Sequence, residues 1–260
     1  MYSVIIMLLV IDIGNTNIKF GLFEGEELKM LARVSTDKKK TSDEFAGEFY
    51  SVLSVYGFGK DDIDGCIISS VVPQVLRMVR QAVVTTLGID PLIVGPGIKT
   101  GLNIKIDNPS STGADLVTGC VAALHLYSAP SIVISMGTAT TIIVLDKSGA
   151  MIGGAISPGV GISMSALAEK TALLPCVAMD APKKVVGKNT DECIRSGVII
   201  GNACMIDGMI DRINEEMGAQ CTVVATGGLA QDIVPSCRHK IELRDDLMLQ
   251  GLRIIYEKNK

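Results

Sequence analysis

The chain has 260 residues and a formal net charge of −4; 48% of its residues are hydrophobic and 20% charged, which excludes general disorder and supplies a sizeable core. At roughly 100–200 residues per domain, the length fits one large domain or two small ones. A sequence pI of 5.3 and the absence of a long basic block (Lys38-Lys39-Lys40 is the nearest) argue against nucleic acid as a partner.

Val4 to Ile11 is a run of eight apolar residues, too short to span a bilayer at ~20 residues. With Asp12-Ile13-Gly14 after it and no basic segment before it, it reads as a buried strand, not a membrane segment, and translation can start at Met1 or Met7. Strands are expected over 4–12, 17–23 and 28–36, the last two joined by a turn at Glu24-Gly25-Glu26. A helix over 42–55 opens with the capping-box spacing of Thr41-Ser42-Asp43-Glu44. Then come a strand over 65–71, a helix over 73–86, a short strand over 92–94 and a helix starting near Thr112. Strands over 131–136, 140–146 and 150–156 follow, with a turn at Lys147-Ser148-Gly149. Helices over 159–173 and 190–217, a strand over 222–225 and a helix over 244–258 complete the chain.

The second half repeats the first. Ile11-Asp12-Ile13-Gly14-Asn15-Thr16 is matched 123 positions later by Ile134-Ser135-Met136-Gly137-Thr138-Ala139. In both places a β-rich run breaks at a small polar turn, returns as a second strand, and leads to a third strand and helices. The expected fold is α/β, two duplicated domains over 1–117 and 118–260 whose equivalent loops face a central cleft.

Gly14 and Gly137 would let backbone N–H groups approach a ligand without a Cβ in the way, and Asn15, Thr16, Thr138, Thr140 and Thr141 add side-chain donors. Each turn alone is either a plain hairpin turn or a phosphate-binding loop; two facing one cleft favour a phosphate cradle, with Asp12 suited to a Mg²⁺ ion or its water shell. The P-loop spacing is absent. Asp115 begins a helix, where it is either a partner for the helix dipole or a general base for an acceptor alcohol. Thr226-Gly227-Gly228 is either a strand-to-helix turn needing positive φ or a point of close ligand approach. Residues 153–159 read as a tight strand-to-helix crossing, and Asn189 or Thr190 as a helix cap. Seven cysteines, an odd number without a CxxC pair, read as reduced thiols of a cytosolic protein; Cys176 and Cys204 are expected to be buried. His125 is expected to be a partly buried helix residue, and with His239 the only other histidine, no zinc site is expected.

With these residues in place, the chain resembles the type III pantothenate kinases of the acetate and sugar kinase/Hsp70/actin superfamily. The resemblance is carried by Asp12-Ile13-Gly14-Asn15-Thr16-Asn17-Ile18-Lys19, Gly113-Ala114-Asp115 and Gly137-Thr138-Ala139-Thr140-Thr141. Residues 153–159, Lys170-Thr171-Ala172-Leu173-Leu174-Pro175 and Asn189-Thr190 extend it nearly end to end. It implies two ribonuclease H-like domains, a cytoplasmic homodimer, and transfer of the γ-phosphoryl of ATP to pantothenate, the first step of coenzyme A biosynthesis.

It further implies that Asp12, Ile13, Gly14, Asn15, Thr16, Asn17, Ile18, Lys19 and Thr138 bind ATP and that Asp115 accepts the alcohol proton. Ile106, Gly113, Ala114, Asp115, Leu116 and Thr190 fall where pantothenate binds. Mg²⁺ is implied at Asp12 through water, and a monovalent cation, K⁺ or NH₄⁺, at Ser135. Three positions depart from the family pattern: Leu116 replaces an arginine, Ser135 an aspartate and Ile106 a tyrosine. The departures lie on the acceptor and cation side. They raise an alternative: a divergent relative that binds ATP but phosphorylates another small alcohol or acts as a regulatory protein.

Overall fold

The computed structural model describes residues 7–260, so the 4–6 portion of the expected first strand lies outside the described residues. The described chain forms two compact units. The first comprises the described residues up to Gly101, with Asn108–Ala122 and Asp246–Lys260; the second comprises Leu102–Asp107 and Ala123–Asp245. The expected boundary at 117/118 falls inside a helix, and the C-terminal helix belongs to the first unit.

In the first unit, β1 (Met7–Ile13), β2 (Asn17–Glu24) and β3 (Glu27–Ser35) form an antiparallel meander. Gly25 makes the β2–β3 turn at φ +58°, a conformation glycine adopts without strain. α1 (Ser42–Val55) starts where its capping box predicts: Thr41 Oγ1 accepts from the Glu44 N–H, and Glu44 accepts from the Thr41 N–H. β4 (Ile63–Ser70), α2 (Pro73–Leu87) and β5 (Leu92–Ile93) follow, giving the sheet order β3-β2-β1-β4-β5, with β4 parallel to β1.

One face of this sheet packs Leu9, Ile11, Ile13, Ile18, Phe20 and Ile68 against Phe45, Phe49 and Leu53 of α1 and Val75, Val79 and Val83 of α2. Phe20 meets Phe49 edge-on with ring centroids 4.9 Å apart.

α3 (Ala114–Leu126) leads from the first unit into the second. There β6 (Ser131–Met136), β7 (Ala139–Leu145) and β8 (Met151–Pro158) repeat the antiparallel meander. α4 (Val160–Lys170) follows. Next come α5 (Thr190–Arg195) and α6 (Gly201–Met217), joined by a π-helical turn at Ser196–Ile200 where one straight helix was expected. Asn202 Nδ2 takes the Val198 carbonyl in that turn. By length and composition, Thr190–Met217 could cross a membrane, yet Ile194, Ile199, Ala203, Ile206 and Ile210 bury against Ile132, Ile134, Ile142 and Ala225 of the sheet.

β9 (Thr222–Thr226), the short α7 (Ala230–Ile233) and β10 (Glu242–Leu243), a strand the sequence reading missed, complete the sheet in the order β10-β9-β6-β7-β8. Strand by strand this matches the order in the first unit, with β9 parallel to β6 as β4 is to β1.

α8 (Leu247–Asn259) returns to the first unit and covers the other face of its sheet, against β1, β2 and β4. Leu249 closes on Gly21, and Tyr256 fills the space over Gly65. Gly251 lies so close to α3 that a Cβ there would overlap the Thr118 carbonyl, a backbone atom that cannot turn aside. Gly251→Ala therefore lowers stability by about 2 kcal/mol and the thermal midpoint by several degrees, read by calorimetry. An unchanged midpoint would show that the α3–α8 spacing is loose.

Candidate functional site

Two carboxylates mark the first unit. Asp12 sits at the end of central strand β1, opposite Lys19 of β2 and Ser69 of β4 in the strand registers. Ser69, fully buried, donates from Oγ to Asp12 Oδ1 at 3.0 Å. Asp115 lies in the first turn of α3, where its Oδ1 accepts from the Leu116 N–H at 2.9 Å.

Burial pushes the Asp12 carboxyl up to about 6; the Ser69 hydrogen bond opposes this, the nearby Asp115 charge adds to it, and Lys19 opposes it. Burial also raises Asp115, against the pull of the backbone N–H groups it accepts. Gly113 is glycine for a local reason: a Cβ there would stand 2.5 Å from Asp115 Oδ1. Asp115 thus bonds the helix N-terminus and is a half-buried carboxylate in electrostatic reach of Asp12.

The turn after Asp12 is tied down from both sides. The Gly14 N–H donates to the Asn17 carbonyl at 3.0 Å, and Thr36 Oγ1 donates to the Gly14 carbonyl at 2.7 Å. Asn15, Thr16 and Asn17 are exposed, while Ile13 and Ile18 are core residues. In the second unit the Gly137 N–H likewise donates to the Ala139 carbonyl at 3.0 Å. Both glycine amides close their own turns, and neither glycine has positive φ. Thr138 is exposed at the tip, its carbonyl accepting from the Gly159 N–H. A Cβ on Gly159 would strike the Gly137 and Thr138 carbonyls, so the 153–159 crossing is close packing against this turn.

Gly227 adopts φ +104° with its Cα against the Met136 backbone, so the Thr226-Gly227-Gly228 turn does need positive φ. Ser135 is half-buried two residues before Gly137, and Thr190 is exposed at the start of α5, which Asn189 caps by accepting from the Glu192 N–H at 2.9 Å. Ile106 is half-buried beside the Ile104–Met151 bridge. The fold gathers Asp12 to Lys19 and Gly113 to Leu116 in one unit and places Ile106, Ser135, Thr138 and Thr190 in the other.

Ser69 was missed in the sequence, where its only signal was a serine ending an apolar strand. Cys176 and Cys204 are exposed, contrary to expectation: Cys176 follows Pro175 outside any element, and Cys204 is off the α6 face that buries Ala203, Ile206 and Ile210. His125 is also exposed, in the last turn of α3, where a cation suits the helix dipole. No group of three or more His, Cys, Asp or Glu able to hold a metal occurs among the described residues.

The fold matches solved structures over nearly its whole length. A Baf-family protein from Campylobacter jejuni aligns with a TM-score of 0.63 at 17% identity, covering 96% of this chain and 98% of that one. Component A of (R)-2-hydroxyglutaryl-CoA dehydratase from Acidaminococcus fermentans aligns with a TM-score of 0.57 at 16% identity, covering 98% and 100%. At these identities they speak for the fold alone, an α/β fold of two duplicated ribonuclease H-like domains.

Sequence narrows this further. The type III pantothenate kinase family model matches residues 8–212. The type III pantothenate kinase of Brevibacillus brevis is 46% identical over 98% of this chain and all of its own length, and that of Moorella thermoacetica 42% over 97% and all of its length. The chain belongs to the type III pantothenate kinase family.

The Asp12 titration has a consequence for stability. Its folded-state carboxyl lies above the ordinary 3.8, so ionisation costs the folded state more than the unfolded one. The cost grows as pH rises from about 4 to about 6 and is complete above that, at about 3 kcal/mol. Asp12→Asn, which keeps an acceptor for Ser69, is expected to raise the thermal midpoint at pH 7.5 and to lose that advantage below pH 4. Equal midpoints at pH 7.5 would show that Asp12 ionises freely.

Proposed function

We propose that this chain phosphorylates pantothenate with ATP, giving 4′-phosphopantothenate and ADP at the entry to coenzyme A synthesis. The observation that carries the reading is the pair of half-buried carboxylates, Asp12 and Asp115, at the turn and helix start that carry the family resemblance. Relatives bearing the kinase name align over their full length, and nothing favours the regulatory or other-acceptor alternative.

In this reading ATP is held by Asp12, Ile13, Gly14, Asn15, Thr16, Asn17, Ile18, Lys19 and Thr138. Pantothenate is held by Gly113, Ala114, Leu116, Ile106 and Thr190. The acceptor oxygen attacks the γ-phosphorus in line, its proton passes to Asp115, and the bond to the β–γ bridging oxygen breaks to release ADP. A carboxyl raised from its ordinary value suits proton acceptance near neutral pH. Leu116 and Ile106 give the acceptor apolar contacts where a guanidinium and a phenol would give polar ones.

Mg²⁺ fits this donor set, because Asp12 offers a hard carboxylate oxygen in a negative surrounding, and it would be held there through water. Bound Mg²⁺ neutralises charge on the phosphate oxygens. A monovalent cation does not fit in the same way at Ser135, whose strand neighbours Thr141 and Thr226 are, like it, neutral hydroxyls.

We also propose a homodimer, supported by exposed apolar side chains in the second unit: Ile156 on edge strand β8, Ile162 and Leu167 on α4, and Leu173 and Val186 beyond it. Seven free cysteines support a reducing compartment, the cytoplasm.

The test is ADP release with Mg-ATP, with and without pantothenate, in K⁺, NH₄⁺ and Na⁺ buffers. Pantothenate-dependent release is expected, and Asp115→Asn should lower kcat by ~10²–10⁴-fold while nucleotide binding persists. Nucleotide binding without pantothenate-dependent release in any buffer would remove the assignment.

A further inference from the structure

Ser69 is a fully buried hydroxyl at the end of an otherwise apolar stretch of β4, with Ile67 and Ile68 buried before it. Its Oγ reaches 57 residues back along the chain and donates to Asp12 Oδ1 at 3.0 Å. Most side-chain hydrogen bonds run to backbone or water, whereas this one joins two side chains from different strands.

Strand register sets the pair. β1 and β4 run parallel with Asp12 opposite Ser69, so both side chains leave the same face of the sheet. That face is turned away from the core of α1 and α2, which takes Ile11, Ile13 and Ile68 instead. The backbone beyond Ser69 is held as well. The Val71 N–H donates to the Ile13 carbonyl at 3.1 Å, which ties the β4–α2 turn to the residue after Asp12. Ser70 Oγ accepts from the Val72 N–H at 3.0 Å and donates to the Val72 carbonyl at 3.2 Å. Val72 is buried in the core, and Pro73 opens α2 directly after it.

The hydroxyl therefore stands on a rigid frame, while the carboxylate it holds is the mobile partner. An aspartate side chain is loosely defined about χ2, so the plane of a carboxylate without a partner is poorly fixed. A donor on one oxygen sets that plane and leaves the other oxygen in a defined place. Partners of this kind, one step removed from an ion, orient the side chains that hold it.

We propose that Ser69 is a positioning residue for Asp12, holding the carboxylate so that its second oxygen serves the water shell of the Mg²⁺ that accompanies the nucleotide. Ser69 itself touches neither ion nor nucleotide. The inference rests on the proposed use of Mg-ATP by this chain, and it adds a residue from a strand outside every motif that carries the family resemblance.

The experiment measures ADP affinity by calorimetry, in Mg²⁺ and in EDTA, with thermal melts of each ligand-free protein. The proteins are the wild type, Ser69→Ala, Ser69→Cys, Ser69→Thr, Asp12→Asn and the double variant Asp12→Asn/Ser69→Ala. Ser69→Ala should weaken ADP by about tenfold in Mg²⁺ and leave its affinity in EDTA unchanged. Ser69→Cys, similar in shape but a weak donor, should behave in the same way, so a second variant carries the test where the melt shows the alanine variant unfolded. Ser69→Thr keeps the donor and should bind as the wild type does; Thr226, buried at the equivalent place in the second unit's sheet, shows that a threonine fits such a position.

In the Asp12→Asn background, Ser69→Ala should cost nothing further in Mg²⁺, because Ser69 acts through the carboxylate. A merely structural serine would weaken ADP alike in Mg²⁺ and EDTA, or cost as much in both backgrounds, and either result would overturn the inference. So would alanine and cysteine variants that bind Mg-ADP normally, or a wild type whose ADP affinity ignores Mg²⁺. A wild type that binds no ADP in either buffer would overturn the nucleotide reading itself, a distinguishable failure.

Discussion

The placement of two carboxylates in one half-buried region of the first unit is the constraint on which that unit's design turns. Asp12 and Asp115 belong to different elements, a central strand and a helix start, and each resists ionisation because of burial. Holding like charges together takes a scaffold that does not relax. β1 supplies it by pairing on both edges, with β2 and β4, and by burying one face against α1 and α2. α8 closes the other face, and its glycine contact with Thr118 sets how closely α3, with Asp115 at its start, can lie. Ser69 then fixes the carboxylate from the adjacent strand.

The duplication shows how one frame carries two chemistries. Both units use a three-stranded meander extended by parallel strands, and both end their first strand at a turn closed by a glycine N–H. The position two residues before that glycine is the middle of a lateral row in each. An aspartate there gives the first unit a negative site with a buried donor already engaged. A serine gives the second a neutral row, flanked by the Thr141 and Thr226 hydroxyls, which are buried without a hydrogen-bond partner. All three positions of the row differ between the copies, Lys19-Asp12-Ser69 in the first unit and Thr141-Ser135-Thr226 in the second.

Much of this architecture was legible locally. The α1 start follows from Thr41 and Glu44, and the paired meanders from β-rich apolar runs that break at the small polar turns of Gly14 and Gly137. Asp115 was legible as a helix-start carboxylate, but its approach to Asp12 was not, because residues more than a hundred positions apart meet only through packing. Ser69 escaped for the same reason: its partner is set by parallel pairing, which leaves no local spacing to read. The C-terminal helix was legible as a helix, whereas its return to the first unit depends on Gly21, Gly65 and Gly251 leaving room for it. That the Gly14 and Gly137 N–H groups close their own turns could not be read from residue type alone.

The asymmetry between the rows has an electrostatic logic. A nucleoside triphosphate brings several negative charges, and a carboxylate can stand near them only through a cation or a proton. The first unit has such a carboxylate in Asp12, which in the proposed function is screened by Mg²⁺ when a triphosphate binds beside it. If the second unit carried another, a further cation would be needed to screen it. Neutral hydroxyls avoid that requirement, since they donate to phosphate oxygens without adding charge.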